Sequence, residues 1–229
     1  RQFMVATANP HASQAGLEML RAGGSALDAA IAAQFVLNLT EPQSSGIGGG
    51  AFILHWDEAA RRVSVYDGRE TAPAAARLDR FLQPDGKPMP IGEAINSGRS
   101  VGVPGLLRVL YLAHAKHGRL PWAHLLGPAI RLADEGFPIS PRLHTQIRTD
   151  PLLRRHAAAR AYFFLPDASP LPVGFRLKNP QFAAVLRQIA KIRDEQRALS
   201  SFTRLLPTIA RDLNRSDLDE RQIPRQVFA

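Results

Sequence analysis

Ala51-Phe52-Ile53-Leu54-His55-Trp56, a polar turn from Asp57 to Arg62, then Val63-Ser64-Val65-Tyr66-Asp67-Gly68-Arg69-Glu70-Thr71: the reading of this stretch decides the fold. Two runs rich in β-branched and aromatic residues, joined by a short polar turn, predict an antiparallel hairpin. Helical patterns on either side of it make the class α+β. The second strand delivers Arg69 to the point where an apolar sheet gives way to a polar loop, a usual place for ligands. A guanidinium is planar and permanently charged, and it grips a carboxylate with two parallel hydrogen bonds. Arg69 is therefore the candidate binding residue, for the carboxylate of a small substrate. The bland alternative is a surface arginine paired with Asp67 or Glu70, the commoner state of a loop charge.

Working upstream, Met4-Val5-Ala6-Thr7-Ala8 reads as a short strand ended by Asn9-Pro10. Ala12 to Ala22 reads as a helix that Gly23-Gly24 stops, since glycine accepts the left-handed backbone of a helix end. Ser25 and Asp28 have the spacing of a capping box for the next helix. That helix, Ala26 to Leu39, is apolar nearly all round and is expected to be buried. Thr40-Glu41-Pro42 ends it. The run Gln43-Ser44-Ser45-Gly46-Ile47-Gly48-Gly49-Gly50 invites a phosphate-loop reading, but such loops pass from a strand into a helix. Here the order is helix, glycines, strand, and no Gly-Lys-Ser/Thr follows. Close backbone packing explains the glycines better.

Downstream, Leu78 to Leu82 reads as a short helix and Gln83 to Pro90 as turn-rich surface. Ser97 to Gly105 is a second passage of small residues. Helices are expected over Leu106 to Lys116, Trp122 to Glu135 and Gln181 to Ala190, with residues 141–165 helical in parts and Phe175 to Pro180 a connector. His114 and His117 stand three apart, yet no acidic or third histidine ligand lies near them in sequence. His55 reads as a strand-face histidine. No metal and no cofactor is expected.

The totals exclude several classes. With 45% hydrophobic and 21% charged residues, the chain has material for a core. The longest apolar candidate, Ala26 to Leu39, is broken by Asp28, Gln34 and Asn38 and falls short of the roughly 20 residues of a membrane span. There is no cysteine, so disulfides and cysteine-ligated metals are excluded. Arg1-Gln2-Phe3-Met4 has no basic start leading into an apolar run, so no signal peptide is expected in these residues. The net charge is +9, and residues 148–193 hold nine Lys/Arg against two Asp. These cations alternate with apolar residues, as in Arg187-Gln188-Ile189-Ala190-Lys191, which predicts the outer face of an amphipathic helix rather than a nucleic-acid surface.

Several separate stretches resemble the large subunit of gamma-glutamyltransferases (gamma-glutamyl transpeptidases). They are Met4 to Pro10, Gly23 to Ala30, Glu41 to Phe52, Asp67-Gly68-Arg69-Glu70-Thr71-Ala72-Pro73, Ser97-Gly98 with Val101 to Gly105, and Pro128 to Ala133. They occur in the family's order and cover roughly residues 4 to 190. The resemblance implies a partial αββα sandwich of the N-terminal nucleophile hydrolase type. It also implies a precursor that cuts itself into large and small subunits, the small one opening with a nucleophilic threonine. Arg69 is then expected to bind the α-carboxylate of the γ-glutamyl group of glutathione or a related compound. The expected location is periplasmic or secreted.

Thr7, Thr40, Thr71, Thr145, Thr149, Thr203 and Thr208 all lack the Thr-Thr-His-type context that opens the family's small subunit. The nucleophile is therefore expected on a small-subunit polypeptide outside this chain, and the chain alone is expected to be inactive. Residues 1–190 form the family-like region; residues 191–229 contain no glycine and match no family segment. Without the family's central strands, apolar surface is expected to stay uncovered. Two alternatives are a cephalosporin or glutaryl acylase on the same scaffold, and a catalytically inactive fragment.

Overall fold

Asn9 accepts a hydrogen bond from the His11 amide at 3.1 Å and caps α1 (Pro10–Arg21), whose first residue is a proline that needs no amide partner there. The computed structural model that shows this describes residues 3–192. Gly23, at φ +85°, turns the chain out of α1. The capping box then opens α2 (Ala26–Thr40): Ser25 Oγ accepts from the Asp28 amide at 3.1 Å, and Asp28 Oδ2 accepts from the Ser25 amide at 2.8 Å.

The sequence makes α2 apolar on every side, and the fold surrounds it. Ile31, Phe35 and Val36 are fully buried, and α1, α4 (Leu106–His117) and α5 (Trp122–Glu135) pack against the helix. Phe35 meets Trp122 edge-to-face, with ring centroids 5.8 Å apart. The Trp122 Nε1–H donates to the Ile189 carbonyl at 3.1 Å and ties α5 to α8 (Pro180–Ala190). On α8, Arg187 and Gln188 are exposed while Ile189 is buried, the amphipathic arrangement expected of the basic segment.

A second apolar cluster gathers Phe137, Ile139, Leu143, Ile147 and Leu177. It lies among β3 (Phe137–Pro138), α6 (Pro141–Thr149), α7 (Ala157–Phe163) and β4 (Arg176–Leu177).

The hairpin forms as read. β1 (Ala51–Asp57) pairs antiparallel with β2 (Arg62–Gly68) in the register Ala51↔Gly68, Leu54↔Val65, Asp57↔Arg62. Because strand side chains alternate, one face turns Ala51, Ile53 and Tyr66 onto the core. The other leaves Phe52, Leu54, Trp56, Val63 and Val65 exposed, from 48% at Trp56 to 72% at Leu54.

Three sequence expectations need correction. Met4 to Ala8 forms no strand: nothing pairs with it among the described residues, and a strand is defined by its ladder. Leu78 to Leu82 is a turn: Leu78 is fully exposed, and five residues gain too little from one helical turn to hold it without a buried face. The connector Phe175 to Pro180 contains β4, paired with β3 through Phe137↔Leu177. Sequence reading also missed α3 (Ile91–Asn96), where only Ala94 is buried. The tail expectations for residues 193–229 lie outside the described residues.

Candidate functional site

Polar residues on α2 seat the glycine run. Gln34 and Asn38, one turn apart, donate to Ser45 Oγ at 2.7 and 2.6 Å. These are two of the polar residues that break the apolar pattern of the helix. Its C-terminal neighbour Glu41 is 3% exposed and occupied on both oxygens. Asn9 Nδ2 donates to Oε1 at 2.9 Å, Gln43 Nε2 donates to Oε2 at 2.7 Å, and Arg142 Nε lies 3.3 Å from Oε2. A buried carboxylate is tolerated only when paired in this way. Sequence reading took Glu41 as part of a helix end and of a family-like stretch, with no role of its own; a carboxylate directly after an apolar helix was the available signal.

Past the run, the backbone closes on itself. The amides of Gly105 and Leu106 donate to the Gly49 carbonyl at 3.1 and 3.0 Å, so the first two amides at the start of α4 are taken up by protein. The Val103 amide donates to the Thr71 carbonyl at 2.8 Å. A Cβ on Gly102 would lie 2.7 Å from Glu70 Cβ, and one on Gly50 would lie 2.8 Å from Glu70 Oε2. Three small-residue segments thus meet at Gly50, Gly68–Glu70 and Gly102–Gly105, which is what the close-packing reading requires. Gly46 and Gly48 differ: a Cβ on either would meet nothing within 4 Å.

Arg69 emerges from this junction at the end of β2. Its amide donates to Asp67 Oδ1 at 2.9 Å, which fixes the turn. Its Nη1 lies 3.1 Å from Glu70 Oε2, while the Arg69 side chain remains 61% exposed. The Glu70 oxygen is buried and makes no hydrogen bond, so this contact is an ion pair without an aligned N–H. Both readings of Arg69 therefore meet in one place: it is paired with Glu70, and its side chain is still largely exposed. The outward side is a cleft of about 340 Å³ lined by Arg69, Glu70, Thr71, Arg80, Arg99 and Ser100, among others.

The histidines lie apart from this cleft. His55 stacks on His117, with ring centroids 3.9 Å apart, and Tyr66 Oη is 2.6 Å from His117 Nε2. Burial holds the His117 pKa below its ordinary value, the neighbouring His55 adds to this, and Asp57 opposes it. His114 Nε2 contacts the Leu120 carbonyl at 2.8 Å. Among the described residues, no three His, Asp or Glu side chains converge as a metal site would require.

Comparison with known proteins gives a consistent picture. The gamma-glutamyltranspeptidase family matches residues 12–197. The chain is 42% identical over 186 residues to a glutathione hydrolase proenzyme of Bacillus subtilis (strain 168), covering 81% of this chain and 32% of that protein. It is 38% identical over 192 residues to an acylase ACY 1 proenzyme of Pseudomonas sp. (strain V22), covering 82% and 34%. The gamma-glutamyltranspeptidase of Helicobacter pylori superposes with a TM-score of 0.83 at 26% identity, over 97% of this chain and 63% of that one. The chain spans about a third of the length of the curated relatives it matches.

Proposed function

The chain belongs to the gamma-glutamyltranspeptidase family and carries part of the α+β fold of N-terminal nucleophile hydrolases; from that premise we propose that it supplies the carboxylate-binding half of a γ-glutamyl transfer or hydrolysis site. The observation that carries the reading is Arg69, pre-positioned by Asp67 and Glu70 and exposed toward a cleft. Its guanidinium takes the α-carboxylate of glutathione or another γ-glutamyl compound. That contact places the γ-amide carbonyl for attack, a contribution through positioning rather than bond-making.

The bond-making groups belong to a small-subunit polypeptide outside this chain. There a threonine hydroxyl attacks the γ-carbonyl, with the free N-terminal amine as base. The C–N bond breaks, the amine leaves with the proton, and a γ-glutamyl ester remains. Amide hydrogens stabilise the oxyanion along the way. Water or an amino acid then takes the acyl group. The exposed outer face of the hairpin, Phe52, Leu54, Trp56, Val63 and Val65, supports a partner of this kind, because solvent-facing apolar strands call for a covering sheet. On this reading residues 1–190 are the large-subunit-like region, the chain by itself does not turn over substrate, and the enzyme works in the periplasm or outside the cell. No described helix is long and apolar enough to cross a membrane.

A second reading, an acylase for cephalosporin or glutaryl side chains, has the acylase relative in its favour. A glutaryl group also presents a carboxylate, so Arg69 does not separate the two. The test compares hydrolysis of a γ-glutamyl anilide with that of a glutaryl amide by the full-length enzyme. Preference for the γ-glutamyl compound is expected; preference for the glutaryl amide replaces the first reading with the second.

A further inference from the structure

The cleft beside Arg69 holds more positive charge than one carboxylate needs. Arg69, Arg80 and Arg99 all line it, against the single carboxylate of Glu70, which already faces Arg69. Among the described residues, neither Arg80 nor Arg99 forms an ion pair. Two carboxylates line the adjoining groove that both arginines share: Asp79 is taken by Arg77 at 3.3 Å, and Glu93 forms no ion pair with either arginine.

The two arginines are not loose surface side chains. Arg80 Nε donates to the Arg99 carbonyl, and Arg99 Nη1 donates back to the Arg80 carbonyl at 3.1 Å. Arg99 Nη1 also lies 3.5 Å from Met89 Sδ. This reciprocal cross-link pins both guanidinium heads and leaves their remaining N–H groups without a carboxylate. Side-chain entropy is thus lost before any ligand arrives, which is what distinguishes a prepared anion site from a solvated charge. Ser100 and Thr71 add hydroxyls to the same cleft.

We propose that Arg80 and Arg99 form a second carboxylate subsite, which selects ligands carrying an anionic group beyond the one bound by Arg69. The inference rests on the Arg69 reading and deepens it. It assigns the cleft to dicarboxylate γ-glutamyl compounds, such as γ-glutamyl peptides with a free C-terminus, over γ-glutamyl amides of neutral amines.

Two probes that differ only in the second carboxylate test this: γ-glutamylglycine and its C-terminal amide. Their affinities for the full chain are measured by titration calorimetry at low salt. The acid is expected to bind roughly tenfold tighter than the amide, the gain of one charge-assisted contact. In the Arg80→Gln/Arg99→Gln double variant that preference disappears, while amide binding stays within about twofold of wild type and so reports an intact cleft. Equal binding of the two probes by the wild-type chain, or an acid preference that survives in the double variant, overturns the proposal. An Arg69→Gln variant separates it from the underlying reading. Loss of affinity for both probes supports Arg69 as the shared clamp; unchanged affinity for both sinks the Arg69 role and leaves the Arg80–Arg99 comparison to be read by itself.

Discussion

Arg69 Nη1 approaches the buried Glu70 Oε2 to 3.1 Å without aiming a hydrogen at it. The pair therefore restrains the guanidinium without saturating it. Glu70 is a positioning residue in this arrangement, held in turn by the glycines at positions 50 and 102. Glu70→Gln removes the charge and keeps the shape. In the full-length enzyme it is expected to raise KM for γ-glutamyl substrates several-fold, by about 1 kcal/mol, with kcat nearly unchanged. A fall in kcat alone argues that Glu70 acts in the chemistry instead.

The glycines around Glu70 give a sharp contrast. Gly50→Ala pushes a Cβ against the Gly68 carbonyl and then Glu70, and Gly102→Ala pushes one against Glu70. Each is expected to cost about 1–3 kcal/mol in urea denaturation. Gly48→Ala, with open space around it, is expected to stay within about 0.5 kcal/mol of wild type. Equal effects at positions 48 and 50 would contradict the close-packing account.

Asp28 is fully buried and holds the loop after α4 to the start of α2. Its Oδ2 accepts from the amides of Ser25, Arg119 and Leu120 at 2.8, 2.9 and 3.2 Å. Asp28→Ala strands those donors and is expected to destabilise the fold by about 3 kcal/mol. Thermal unfolding checks this, with a drop in Tm of roughly 6–12 °C for a domain of this size.

The His55–His117 stack makes stability depend on pH. The folded His117 pKa lies below the unfolded value of 6.5, chiefly through burial and then through His55. The unfolded chain thus binds more protons than the native one in the window below 6.5, and stability falls as pH drops through it. Tyr66 Oη, Asp57, Lys116 and Arg62 also face or influence the ring. His117→Phe is expected to flatten denaturation midpoints measured between pH 7 and 5; an unchanged slope assigns the effect to other groups.

The parts of this fold legible in sequence are those specified locally. Ser25 with Asp28, Gly23, and the alternating pattern on each side of Asp57–Arg62 each carry their own geometry, and the structure reproduces them. The missed parts depend on distant partners. The pairing of Phe137 with Leu177 joins residues forty positions apart and follows from the packing of the second cluster. The Met4–Ala8 segment has strand-like residues but no partner strand among the described ones. At the site, Arg69 stood out because a hairpin exit is a recognisable place. Glu41, Arg80 and Arg99 did not, since their roles come from a buried network and a reciprocal cross-link that join separate segments.

The central claim is that Arg69 binds the substrate carboxylate, and steady-state kinetics of Arg69→Ala and Arg69→Lys in the full-length enzyme test it most directly. Loss of a bidentate, charge-assisted contact is expected to raise KM for a γ-glutamyl anilide roughly 100-fold in the alanine variant, with a smaller rise for lysine and little change in kcat. A KM that stays at the wild-type value in Arg69→Ala would contradict the account.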